Sequence, residues 1–156
     1  MKAFENCPGC APYEFVGAET TEDMGGEARP SQLRGWPIQL HLISPGQPQF
    51  QGADLLLAAD CVAYAVGDFH RDHLKGYSLA IACPKLDQGL DVYEEKLRAL
   101  VDESGINTLT VMIMEVPCCS GLLGVAKRAL DGAERRIPLK AVVVGVQGDI
   151  LTETWV

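Results

Sequence analysis

Six cysteines carry the chemistry this sequence could do: Cys7, Cys10, Cys61, Cys83, Cys118 and Cys119. A thiolate is a soft donor and a nucleophile. Such a set can ligate a metal or an iron–sulfur cluster, run thiol–disulfide exchange, or pair as structural disulfides. Cys7-Pro8-Gly9-Cys10 is a turn that can set two sulfurs on one metal. Its sulfurs could instead complete a site elsewhere in the chain or act as a redox pair. In Glu115-Val116-Pro117-Cys118-Cys119-Ser120-Gly121, two adjacent thiols follow a strand-ending proline and precede a helix, which Cys119 or Ser120 can cap. Free N–H groups and a positive dipole end there favour thiolate, and the net negative charge of a cluster held by four thiolates. Pro84 leaves the sulfur of Cys83 at a turn; the plain alternative for Cys83 is a small buried hydrophobe.

The stretch from Met1 to Cys10 holds Lys2 and Glu5 and no apolar run of the kind a secretory signal needs, so a cytoplasmic location is expected. A reducing compartment disfavours a disulfide framework, and 156 residues with 47% hydrophobic content can build a core without one. Metal or cluster ligation becomes the leading reading. The formal charge of −8 repels phosphate backbones and anionic lipid, and no run reaches the roughly 18 apolar residues of a membrane span. Neither nucleic acid nor membrane is an expected partner.

Other candidates are thinner. His70 and His73 stand three apart in Asp68-Phe69-His70-Arg71-Asp72-His73, with His41 the third histidine, and no further ligand stands at matching spacing. A polar helix end is the expected reading. Asp60 and Asp87 flank Cys61 and Cys83 as outer-sphere groups or helix caps. Neither G-x-G-x-x-G, a Walker lysine nor G-x-S-x-G occurs, which disfavours nucleotide binding and serine hydrolysis.

The elements that must position these thiols follow from periodicity. Residues 1–35 read as an N-terminal cysteine-bearing arm and linker, and 36–156 as one α/β domain. Apolar runs predict strands over 38–43, 54–59, 77–83, 108–115 and 139–146, with the last three central. Tyr93, Leu97, Leu100 and Val101 recur at helical spacing up to Gly105, as do Leu122, Leu123, Ala126, Ala129 and Leu130 up to Gly132. A third helix is expected within 62–74, weakened by Gly67. The expected fold is a mostly parallel sheet of about five strands with helices on both faces, a Rossmann-like or flavodoxin-like three-layer sandwich. Cys61, Cys83, Cys118 and Cys119 then all leave carboxyl ends of strands, the edge where open α/β sheets bind ligands.

The segments Arg34-Gly35-Trp36-Pro37-Ile38-Gln39-Leu40-His41-Leu42, Ala58-Ala59-Asp60-Cys61, Asp68-Phe69-His70, Cys83-Pro84-Lys85-Leu86-Asp87 and Met114-Glu115-Val116-Pro117-Cys118-Cys119 resemble a little-characterised family. Its members are ferredoxin-associated iron–sulfur proteins of anaerobic bacteria and archaea, and the resemblance spans about residues 33–151. It implies Cys61, Cys83, Cys118 and Cys119 as cluster ligands and gives Cys7 more weight than Cys10. This chain departs from longer members in lacking the C-x-x-C-x-x-C-x-x-x-C run, and in having Ser120 where a glycine usually follows the paired cysteines. The leading expectation is a [4Fe–4S] protein of electron transfer or redox sensing, a carrier rather than an enzyme. It would exchange electrons with a separate redox partner such as a ferredoxin or an oxidoreductase; association into homo-oligomers stays open. The alternatives are a four-cysteine zinc module for structure or interaction, and a redox enzyme using its thiols or an open-site cluster.

Overall fold

A computed structural model describes residues 28–156 together with the two-residue strand Tyr13–Glu14. Cys7 and Cys10, and most of the expected N-terminal arm, lie outside the described residues. In chain order the strands are β1 (Tyr13–Glu14), β2 (Gly35–Trp36), β3 (Asp54–Ala59), β4 (Ser78–Ala82), β5 (Thr108–Met114), β6 (Leu139–Val144) and β7 (Ile150–Trp155). The helices are α1 (Val62–Ala65), α2 (Leu90–Asp102) and α3 (Ser120–Asp131), with a π-helical turn at His70–Leu74 and 3-10 turns at Pro48–Phe50 and Pro117–Cys119.

Leu55, Leu56, Leu57, Ala58 and Ala59 follow one another without a polar residue, and all five are buried. A strand that is apolar on both sides has to be covered on both sides. The main sheet runs β4-β3-β5-β6-β7, parallel through β6 and antiparallel at β7. Leu57 lies between Ala80 of β4 and Val111 of β5. The mostly parallel five-stranded α/β architecture is therefore as expected, and β1 and β2 form a separate antiparallel pair. In α2, Tyr93, Leu97, Leu100 and Val101 are all buried, and in α3 Leu122, Val125, Ala126 and Ala129 are. The two helices pack on one another, and Glu94 bridges them by pairing with Arg98 of its own helix and with Arg128 of α3.

Four expectations change. The segment 38–43 is not a strand: Gln39 makes one parallel bridge to Ile81, and Leu42 and Ile43 then turn back to the Gln39 carbonyl. Its alternating apolar residues mimic a strand, yet Leu40 and Ile43, three apart, are buried by the turn. The strand at 77–83, expected to be central, lies at the sheet's edge next to that bridge, while β3 is an interior strand and β5 is central. β7 was not expected, because Ile150, Leu151 and Trp155 are interrupted by Thr152, Glu153 and Thr154 and form no continuous apolar run, and all six residues are exposed. Pairing of its backbone with β6 holds it, aided by Lys140, which pairs with Glu153 and lies 5.4 Å over the Trp155 ring.

The expected helix within 62–74 is split into α1 and the π-helical turn, with Val66, Gly67 and Asp68 between them. Residues 29–34 dock on this region through Arg29–Asp68 at 3.1 Å, Gln32 N–H to His70 Nδ1 at 3.0 Å and Arg34 to the Gly76 carbonyl at 3.1 Å. His70 thus has a structural partner, as a polar helix end should.

The end of α2 carries a pH-dependent tie. Asp102 accepts the backbone N–H groups of Glu134 and Arg135 at 3.1 and 3.0 Å, and these bonds hold its carboxyl below the ordinary value. A carboxyl depressed in the folded state stabilises above its unfolded value, near 3.9, and that contribution is lost as pH falls through the folded value. Urea titrations of Asp102→Ala should therefore show a deficit that is constant at neutral pH and closes below about pH 4; a deficit that persists unchanged into acid would refute this origin.

Candidate functional site

The strand order fixes where a ligand crevice must be. From β3 the chain crosses to β4 on one side, whereas from β5 it crosses to β6 on the other. The carboxyl ends of β3 and β5 therefore bound a topological switch point, the position at which open α/β sheets bind ligands. Asp60 and Cys61 leave β3 there, and Cys61 stands exposed as the residue preceding α1. On the β5 side the chain passes through the turn Pro117–Cys119 into α3, leaving Cys118 exposed and Cys119 buried. Cys119 occupies the cap position of α3 but makes no side-chain cap bond, and the Ser120 hydroxyl donates instead to the Pro117 carbonyl at 2.8 Å. The expected side-chain capping by Cys119 or Ser120 is thus not made. The first N–H groups of α3 are left without a side-chain acceptor at the edge where the thiols lie.

Cys83 leaves β4 on the far side of β3 from β5, yet its turn reaches α3. A Cβ added at Gly121 would stand 3.4 Å from Pro84 Cβ, so the turn after Cys83 lies close against the start of that helix. Within this turn the Leu86 N–H approaches Cys83 Sγ at 3.4 Å, and the Cys83 N–H donates to Asp87 Oδ2 at 2.8 Å. Cys83 is half-buried, so it is not the fully enclosed hydrophobe of the plain reading. Three loops thus bring four thiols to one edge.

The electrostatics link these groups. Burial pushes the Cys119 thiol up, and charge on Cys118 and Cys61 adds to the rise, against a backbone contact with Met114 that lowers it. Cys119 accordingly senses both Cys118 and Cys61. Asp60 Oδ1 is buried without a hydrogen-bond partner, and its carboxyl is raised by burial and then by the charge of Asp87. Tyr93 donates its hydroxyl to Asp87 Oδ2, and burial followed by that bond raises the phenol. Thiolates formed here would add negative charge beside two carboxylates, which a bound cation would relieve. Asp87 therefore braces the Cys83 turn, whereas neither oxygen of Asp60 serves as a helix cap. The spacing of Tyr93 predicts only a core-facing helix residue, and nothing in it marks a polar role.

The donor chemistry is that of soft-metal and iron–sulfur sites, since thiolates suit zinc and iron–sulfur clusters rather than hard cations. Among the described residues no three His, Cys, Asp or Glu groups already stand in ligating positions. Cys61 and Cys118 are exposed, and Cys118 interacts with the Cys119 side chain. His41 is engaged elsewhere: its Nε2 lies 2.6 Å from the Gln88 carbonyl and its ring is 4.2 Å from that of Tyr93.

A family model described as a Rossmann-like domain matches residues 47–155. An uncharacterised protein of Archaeoglobus fulgidus is 29% identical over 119 residues, 76% of this chain and 83% of that protein. No solved structure matches. These similarities carry the fold, and name neither a cofactor nor an association with ferredoxin.

Proposed function

The chain belongs to the Rossmann-like domain family, and from that premise we propose that its carboxyl edge holds an iron–sulfur centre through Cys61, Cys83, Cys118 and Cys119, serving electron transfer or redox sensing. The observation that carries this reading is the convergence of four thiols from three separate loops on one sheet edge, three of them around the switch point. When bound, a [4Fe–4S] cluster supplies a one-electron couple. The chain's own part is to hold and tune it. The positive dipole end of α3, whose cap residue makes no side-chain cap bond, and the Leu86 N–H directed at Cys83 Sγ offset thiolate charge. The exposed positions of Cys61 and Cys118 leave the edge accessible to a redox partner such as a ferredoxin or an oxidoreductase. An acidic chain of this charge suits a partner with a basic face. No helix among the described residues is long and apolar enough to cross a membrane; the proposed setting is cytoplasmic, where thiols stay reduced.

A second reading has the same donor set behind it. Four thiolates also make a structural zinc site, in which case the edge is stabilised for protein interaction rather than for electrons. Iron, acid-labile sulfide and zinc measured on protein purified without oxygen separate the two. About four irons and four sulfides per chain are expected for a [4Fe–4S] centre. Stoichiometric zinc without sulfide selects the second reading. Protein that takes up neither, even after reconstitution, overturns both.

A further inference from the structure

Cys83 leaves β4 into a turn closed at several points. Its N–H donates to Asp87 Oδ2 at 2.8 Å, its carbonyl accepts the Asp87 N–H at 2.9 Å, and its sulfur faces the Leu86 N–H at 3.4 Å. The same Asp87 oxygen accepts the Tyr93 hydroxyl. Tyr93 is wholly buried in α2, its ring centroid 4.2 Å from that of His41 with the rings tilted, and His41 is tied to the Gln88 carbonyl. Lys96, one turn along α2, donates to the Leu40 carbonyl at 3.0 Å and to that of His41. The carboxylate is thus anchored to the domain core on one side and to the backbone of a thiol-bearing turn on the other.

We infer that Asp87, braced by Tyr93, is a positioning residue that sets the sulfur of Cys83 for ligation. The inference rests on the reading of the edge as a thiolate-ligated centre. Partners one bond removed from a ligand orient it and are worth about 10–100-fold in metal affinity, and Asp87 holds Cys83 through its backbone. A plain loop brace would have the same contacts but a different signature. It would alter stability alone, whereas a positioning residue alters affinity only while Cys83 is present.

Cadmium tests this, because thiolate ligation of Cd2+ gives an ultraviolet charge-transfer band whose intensity follows the number of sulfurs bound. Metal-free, reduced full-length chain is titrated as wild type, Asp87→Ala, Tyr93→Phe, Cys83→Ser and the Asp87→Ala/Cys83→Ser pair. Asp87→Ala should weaken Cd2+ binding about 10–100-fold and lower the band toward that of Cys83→Ser. Tyr93→Phe keeps the ring and should shift both readouts the same way by less; it carries the comparison if Asp87→Ala fails to fold. In the Cys83→Ser background, loss of Asp87 should add nothing. An Asp87→Ala protein with wild-type affinity and a full band overturns the inference, as does a loss of equal size with and without Cys83. If wild type gives no thiolate band, the reading of the site fails and the inference that rests on it is overturned with it, an outcome distinct from a wild-type band that Asp87→Ala leaves intact.

Discussion

Serine at Cys61, Cys118 and Cys119 together should abolish soft-metal binding while the domain stays folded. Cys61 and Cys118 are exposed, so their replacement costs less than about 0.5 kcal/mol each. Cys119 is 6% exposed, and the hydroxyl placed there needs a partner, which sets a cost of about 1–3 kcal/mol if none is found. Far-ultraviolet circular dichroism should accordingly match wild type. Cd2+ affinity should fall by more than the roughly 100-fold ceiling of outer-shell changes, because neutral hydroxyls replace three soft ligands at once. Iron and sulfide uptake on reconstitution should vanish in parallel. The companion variant replaces Cys7 and Cys10, which lie outside the described residues, and is expected to keep the centre. The opposite pattern, metal retained by the triple variant and lost with Cys7 and Cys10, would leave the switch-point thiols with an ordinary packing role.

Gly148→Ala should destabilise the domain by about 3 kcal/mol or more. Gly148 closes the connection between β6 and β7: its N–H donates to the Gly145 carbonyl at 2.8 Å, and Gly145 N–H donates to the Asp149 carbonyl at 2.8 Å. Its φ of +97° is one that side chains disfavour, and an added Cβ would run into the carbonyl oxygen of Ala65 at the end of α1. Backbone on both sides of that collision must move. Gly52 provides the comparison, since its φ is +62° and nothing lies within 4 Å of an added Cβ. Gly52→Ala should cost only the left-handed conformation, about 1 kcal/mol. The difference between the two, read from urea unfolding, isolates the contact of the β6–β7 connection with α1, the helix that Cys61 precedes. Equal losses would show that no such contact exists.

Much of this architecture was legible before any coordinates. The buried face of α2 is the set that recurs at helical period. In α3 Leu122, Ala126 and Ala129 are buried as expected, Leu123 and Leu130 are only half-buried, and Val125 joins the buried face. The helices end three residues before Gly105 and directly before Gly132. β3, β5 and β6 are apolar runs that no amphipathic surface helix would carry. The association of thiols with strand ends was legible for the same reason: Cys61, Cys83, Cys118 and Cys119 each follow such a run within a few residues. Reading failed where the local pattern was ambiguous or silent. Residues 38–43 alternate like a strand but fold into a turn after one bridge, and β7 owes its existence to β6 rather than to its own composition.

By itself, the sequence determined the kinds of element, their order along the chain and the thiols that close them, because periodicity and turn chemistry are properties of near neighbours. Only the tertiary structure decided that β3 lies between β4 and β5, so that Cys61 meets the Cys118 and Cys119 loop across a switch point while Cys83 reaches it from one strand further out through the contact of Pro84 with Gly121. It also decided that a buried tyrosine of α2 holds the aspartate beside Cys83. Strand order and register come from pairing between residues far apart in the chain, and several orders bury the same apolar runs equally well.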